Sequence, residues 1–229
     1  MKLHHFINVM HQSQEIVIHT YAYASINNTM TIIIAYQDLH TSYIGSDSAC
    51  TSSGESSISI RTKSKCWKFE HAGLGTILCG FSGLYATGNA IRYGFHWPTL
   101  SSTKMLSSQQ VIQYLTNEFA PSLKRYLHNK FLKNTVECLH TVYKDYCTDW
   151  YVIVVINKQI YIVNHDGDVE ESDSNFACIG SGSETALSCL RTLETLQSPL
   201  WPYEKMEFAF EMCTKNLCDI RGPFDIICN

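Results

Sequence analysis

A chain of 229 residues and 26.0 kDa, 45% hydrophobic and 12% aromatic, is long and apolar enough to bury a full core within one large domain. Its net charge of -4 and pI near 6.2 leave no basic footprint for nucleic acid, and no run of Lys/Arg exceeds Lys124-Arg125. No window approaches the ~20 apolar residues of a membrane span, so neither nucleic acid nor membrane is an expected partner.

Met1 to Thr29 lacks an apolar segment of signal-peptide quality, because Asn8, His11, Gln12, Ser13 and Gln14 interrupt it early. Residues 1–30 therefore read either as a leader removed on maturation or as lying upstream of the functional product. Either reading exposes Thr31, and the functional domain is expected over 31–229. A threonine that begins a chain carries its own base: the hydroxyl is the nucleophile and the free α-amine, of ordinary pKa roughly 7.7 to 8.0, takes its proton. His4, His5, His11 and His19 have no second half with ligand spacing, so no metal site is expected there.

Thr31 to Tyr36 holds no polar residue after Thr31 and is β-branched at its start, which predicts a strand buried on both faces. Gln37 to His40 is a turn, Tyr43-Ile44-Gly45 returns antiparallel, and Asp47 is thereby expected beside Thr31. The Ser-, Thr- and Gly-rich stretch from Ala49 to Ser59 reads as a loop, with an alternating strand at Ile58-Ser59-Ile60-Arg61. Lys63 to Phe69 alternates again, Thr76 to Phe81 is a buried strand, and a helix is expected from Leu84 to Phe95. Gly83, at that strand-to-helix junction, leaves its backbone N–H open to a ligand.

Helical spacing runs from Ser107 to Leu132 with a kink expected at Ala120-Pro121. Trp150 to Ile156 and Gln159 to Val163 form a hairpin about Asn157-Lys158. Phe176 to Ser183 passes from strand into a helix over Glu184 to Leu196, Tyr203 to Leu217 is a last helix, and Pro223 to Cys228 a last strand. Paired strands alternating with helix pairs predict an α+β fold of two packed sheets with helices outside. The ten cysteines are scattered, with no C-x-x-C, and most sit in apolar stretches as small hydrophobes, which suits a reducing, cytoplasmic setting.

The order strand, Ser46-Asp47-Ser48, lysine before a short strand, then Cys79-Gly80-Phe81-Ser82-Gly83-Leu84 opening a helix resembles the proteasome β-subunit family and its relatives, the HslV peptidase among them, all N-terminal nucleophile hydrolases. Ile179-Gly180-Ser181-Gly182 is similar to the family segment whose serine lies beside the nucleophile. The resemblance implies a four-layer αββα sandwich of two antiparallel sheets. It further implies Thr31 as nucleophile, Asp47 as orienting acid, Gly83 as oxyanion donor, Ser181 beside the amine and Asp219 in the position of a further acid. Lys63 keeps the ungapped spacing from Asp47, but Lys65-Cys66-Trp67-Lys68-Phe69 is the better match to the family's lysine segment, so Lys65 is the expected site lysine. Arg221 stands where relatives carry a hydroxyl, a departure that bears on the bonds around the amine.

The activity so implied is a threonine-type peptidase in a self-compartmentalised assembly, acting on peptides or unfolded proteins without a cofactor. A homo-oligomeric ring follows, docked to an ATP-dependent unfoldase. A non-catalytic structural subunit and an amidase for a small amide are the alternatives. On the residues alone, Leu84, Tyr85, Ile91, Tyr93, Phe95 and Trp97 put apolar surface on more than one side of one helix, to be covered by another subunit or by the Ser107 to Leu132 helices.

Overall fold

The computed structural model describes residues 31–51, 58–60, 63–100, 106–132 and 149–229; the proposed leader and its histidines lie outside the described residues. Strand β1 (Ile33–Gln37) is central in a four-stranded antiparallel sheet ordered β10-β1-β2-β11, with β2 at Ser42–Ser46, β10 at Phe176–Ile179 and β11 at Asp225–Cys228. The second sheet, also antiparallel, is ordered β5-β6-β7-β8-β9: Cys66–His71, Gly75–Ser82, Tyr151–Ile156, Gln159–Asn164 and Val169–Glu171. A small third sheet pairs β3 (Ala49–Thr51) with β4 (Ile58–Ile60).

The unbroken apolar runs are explained by the layering. Ile33 and Ala35 meet Ile44, Leu78, Ile153 and Val155 between the two sheets. Ile32, Ile34 and Tyr36 point the other way, onto helices α4 (Ser183–Thr195) and α5 (Pro202–Asn216). In β7, Ile153 and Val155 face the first sheet, whereas Val152, Val154 and Ile156 face α1 (Tyr85–Gly94), α2 (Ser108–Tyr114) and α3 (Ala120–Leu132). A period of two with apolar residues at both phases thus builds three cores and four layers, αββα.

Several local features follow from their residues. The β7–β8 hairpin turns at Asn157 and Lys158, both at positive φ (52° and 64°), the pairing a two-residue primed turn needs. Ser107 and Gln110 close a capping box at the start of α2, and Glu204 accepts the Trp201 N–H at the start of α5, where Pro202 fills the first turn. The kink expected at Ala120-Pro121 is instead a π turn, Leu115–Phe119, joining α2 to α3: the Ala120 N–H reaches back to the Leu115 carbonyl, and one residue later the proline has no N–H to place.

One expectation is corrected, and one open alternative is decided in part. Ala49 to Thr51, read as loop from its small polar neighbours, is a strand because β4, the next strand in the chain, supplies its ladder partners. Of the apolar surface on and after α1, Phe95 packs on Phe119 and Tyr126 and Trp97 lies 4.2 Å from Phe119 between ring centroids, while Tyr93 stays exposed. Large apolar residues stay exposed at the other helix pair, where Leu196, Trp201, Tyr203 and Phe208 project from or between α4 and α5.

One polar cluster ties that helix pair to the sheet. Lys205, buried, meets Glu194 at 2.7 Å, and Tyr36 donates its hydroxyl to the same carboxylate. Partial burial raises the Glu194 pKa, but the bonds from Lys205 and Tyr36 outweigh it and hold the carboxyl below its ordinary range. A depressed folded pKa contributes stability above the unfolded value, lost as pH falls through the folded one. Glu194 is partly solvated, which tempers the penalty of leaving it alone, so Lys205→Met is expected to cost about 1–2 kcal/mol near neutral pH. In thermal melts against pH, the gap between the two proteins should be full above the ordinary glutamate range and narrow as pH falls through the depressed folded pKa of Glu194.

Candidate active site

The site forms where the N-terminal end of β1 meets the ends of β2, β10 and β6 and the start of β5. Pairing of Ile33 with Ser46 carries one step outward to place Asp47 opposite Ile32, one residue from the expected position beside Thr31. The Asp47 N–H donates to the Ile32 carbonyl at 3.3 Å, and Oδ1 accepts the Ile32 N–H at 3.1 Å. Oδ2 accepts the Ala49 N–H at 3.0 Å. Asp47 therefore pins the backbone that follows Thr31, and it reaches the Thr31 hydroxyl only through Lys65.

Lys65 Nζ lies 2.7 Å from Asp47 Oδ1 and 3.0 Å from Thr31 Oγ1. Asp47 is fully buried and the Lys65 side chain nearly so. Burial pushes the Asp47 carboxyl above its ordinary range, while the Lys65 ammonium and the two backbone N–H groups pull against it. The ammonium is thus held between a carboxylate and a hydroxyl. Lys63, two residues earlier, sits over the Tyr93 ring instead, 5.7 Å from its centroid.

On the other side, Ile33 pairs with Ile179, so two further steps bring Ser181 opposite Thr31. Ser181 Oγ accepts the Thr31 N–H at 3.2 Å and lies 3.4 Å from the Thr31 carbonyl, which Gly182 N–H also approaches at 3.4 Å. Gly180, between strand and serine, has φ 97°, and a Cβ there would stand 2.1 Å from the Thr31 carbonyl oxygen and 3.0 Å from Ser82 Oγ. No residue with a side chain fits this turn.

Gly83 follows β6 at φ 140°, and a Cβ would meet the Phe81 ring at 2.9 Å and the Asp149 carbonyl at 3.1 Å. The β6–α1 junction that holds it abuts the Gly180 turn through Ser82. Asp219 is not joined to Thr31 by any described contact; its carboxylate accepts from the Cys218 thiol at 3.2 Å. Arg221 turns its guanidinium onto the Ile220 carbonyl at 2.9 Å, and its own carbonyl accepts the Ser48 N–H at 2.9 Å. Thr31, Asp47, Lys65 and Ser181 are brought together as one bonded group.

Gly180 and Ser46 also line the corner without having been expected there, and Arg92 of α1 donates Nη1 to the carbonyl of Ser64, the residue before Lys65, at 2.7 Å. Ser46 Oγ accepts the Lys65 N–H at 3.4 Å. Gly180 had a local signal, the glycine before the serine of Ile-Gly-Ser-Gly, whereas nothing near Arg92 in sequence marks its partner.

No family model matches the chain. The ATP-dependent protease subunit HslV of Rickettsia bellii (strain OSU 85-389) is 33% identical over 102 residues, 40% of this chain and 53% of that protein, so the match spans about half the relative's length. Eukaryotic HslV from Trypanosoma brucei superposes with a TM-score of 0.55 at 15% identity, over 86% of this chain and 98% of that one. The chain has the proteasome-like N-terminal nucleophile hydrolase fold. BPH of Thiobacillus denitrificans shares this proteasome-like fold, with a TM-score of 0.60 at 13% identity over 86% and 97% of the two chains. So does Anbu from Pseudomonas aeruginosa, at 0.58 and 14% over 86% and 80%.

Proposed function

We propose that the protein is a threonine peptidase whose functional chain begins at Thr31. The observation that carries this reading is the position of Lys65 Nζ, 3.0 Å from Thr31 Oγ1 and ion-paired to buried Asp47. An ammonium there lowers the cost of forming the alkoxide, and it disfavours protonation of an α-amine on the same residue. With the chain opened before Thr31, that nitrogen keeps one N–H on Ser181 and has its lone pair free for the hydroxyl proton. Attack on a peptide carbonyl gives a tetrahedral intermediate; the α-ammonium returns its proton to the leaving nitrogen, the C–N bond breaks, and the amine product departs to leave an acyl-enzyme on Thr31. Water, deprotonated by the same α-amine, then frees the acid product. Gly83 N–H is the oxyanion donor in this scheme.

Substrates are peptides or unfolded proteins, and the assembly is a homo-oligomeric ring fed by an ATP-dependent unfoldase. Support for the ATP-dependent partner comes from the HslV relative, described as a subunit of an ATP-dependent protease, and support for self-assembly, though of a helical kind, from Anbu. The exposed Leu196, Trp201, Tyr203 and Phe208 offer apolar surface for such contacts. No helix among the described residues is long and apolar enough to cross a membrane. The cytoplasm, where buried free thiols such as Cys66, Cys79, Cys178 and Cys213 persist, is the proposed location.

Active material should have the intact mass of a chain starting at Thr31, hydrolyse an unstructured peptide and scatter light as an oligomer. Retention of Met1 to Thr29 on active protein, or full activity in a monomer at micromolar concentration, would overturn the corresponding part. Folded protein starting at Thr31 that cleaves only small amides would be the amidase. One that cleaves neither peptides nor small amides would be the structural subunit.

A further inference from the structure

Lys65 reaches Thr31 from the position just before β5, where the backbone bonds differ in length. Its N–H to Ser46 Oγ is long at 3.4 Å, and its carbonyl accepts the Phe81 N–H at 3.2 Å. The shortest bond on the segment belongs to the preceding residue: Arg92 Nη1 donates to the Ser64 carbonyl at 2.7 Å. Arg92 lies near the end of α1, 28 residues away in sequence.

The guanidinium is itself fixed. It lies 5.6 Å from the Trp67 ring centroid and 5.3 Å from that of Tyr93, and Lys63 takes a place over the same Tyr93 ring. Trp67 belongs to β5, two residues beyond Lys65, so Arg92 grips this stretch on both sides of the lysine. A planar cation suits the position because it stacks and donates at once, which a lysine ammonium does less well.

Helix α1 is a rigid carrier. Tyr126 of α3 donates to the Ala90 carbonyl at 3.2 Å, and the Phe81 ring fills the space beside Gly88 so closely that a Cβ there would stand 2.6 Å from it. The helix begins two residues after Gly83 and ends at Gly94, just past Arg92. One helix therefore connects the backbone of the candidate oxyanion donor to that of the lysine.

We propose that Arg92 is a positioning residue for Lys65, through which α1 sets the ammonium against Thr31. The inference rests on the peptidase reading for its effect on rate, but not for its effect on Lys65 itself. Losing the clamp lets the segment shift on the scale of an ångström, and a misplacement of that size costs on the order of 10- to 100-fold in rate.

The test compares wild type, Arg92→Met and Arg92→Lys in the mature chain. Peptide hydrolysis should show kcat down about 10-fold or more in Arg92→Met with KM little changed, and partial recovery in Arg92→Lys, since only the reacting geometry is disturbed. Independently, limited acylation with an N-hydroxysuccinimide ester, read by peptide mass spectrometry, should modify Lys65 at least about threefold faster in Arg92→Met, because its bonds to Asp47 and Thr31 loosen. Unchanged kcat together with unchanged Lys65 labelling in a folded Arg92→Met protein would overturn the proposal. Wild type that hydrolyses no peptide, with Lys65 labelling still raised in the variant, would sink the peptidase reading and leave the positioning role standing. If Arg92→Met fails to fold, Arg92→Lys carries the same comparison, and labelling equal to wild type there with equal kcat would count against the clamp.

Discussion

Thr31→Ala is expected to lower peptide hydrolysis by at least roughly 10³-fold, to a level set by binding and the remaining polar groups, while the melting temperature stays within about 2–4 °C of wild type. The substitution deletes the hydroxyl that Lys65 approaches and leaves the Lys65–Asp47 ion pair whole. Thr31 is buried, but the change removes only a hydroxyl and one methyl group, so the packing lost is small. Its backbone bonds to Ser181 and Gly182 do not depend on the side chain. Thr31→Ser keeps the nucleophile and the α-amine and should retain measurable turnover. Peptidase assays paired with thermal melts on the three proteins check this: activity surviving in Thr31→Ala would remove Thr31 as nucleophile, and unfolding would make its role structural.

Gly180→Ala should disable the same site from the backbone side. At φ 97° an alanine is strained, and its Cβ would stand 2.1 Å from the Thr31 carbonyl oxygen, a distance only movement of one strand end can relieve. The strain alone costs roughly 1–3 kcal/mol, and displacing Thr31 by an ångström costs on the order of 100-fold in turnover. Gly75→Ala is the control. Gly75 also has positive φ, 73°, but no atom lies within 4 Å of its Cβ position, so it should show the strain in a melt without the loss in turnover. Equal turnover in both alanine variants would mean that the Thr31–Gly180 contact does not set the site.

The strands around the site were legible because their chemistry is local. A run such as Ile32-Ile33-Ile34-Ala35-Tyr36, apolar at both phases of a two-residue period, has to be covered on both faces, and two sheets with outer helices provide that. The register that sets Ser181 opposite Thr31 likewise follows once β1 and β10 are paired. Where an element is too short to carry a pattern of its own, its residues are silent and the neighbouring strand decides. Ala49 to Thr51 carries no strand signal of its own and becomes a strand because β4 lies beside it. Val169 to Glu171 is too short to show alternation and is ordered by its ladder to β8.

The lysine shows the division most clearly. Lys63 and Lys65 are two apart, which is one period of a strand, so alternation assigns both to the same side and cannot separate them. The resemblance favours Lys65, but what separates the two physically is tertiary: Asp47 and Thr31 close around one ammonium, and Tyr93 of α1 faces the other. The same holds for Asp219 and Arg221, which the chain order brings near the end of the fold and whose side chains then satisfy themselves on Cys218 and Ile220. Periodicity records which faces an element must bury. Which charged group enters the buried polar corner at Thr31 depends on partners 18 and 34 residues away, and only folding brings those together.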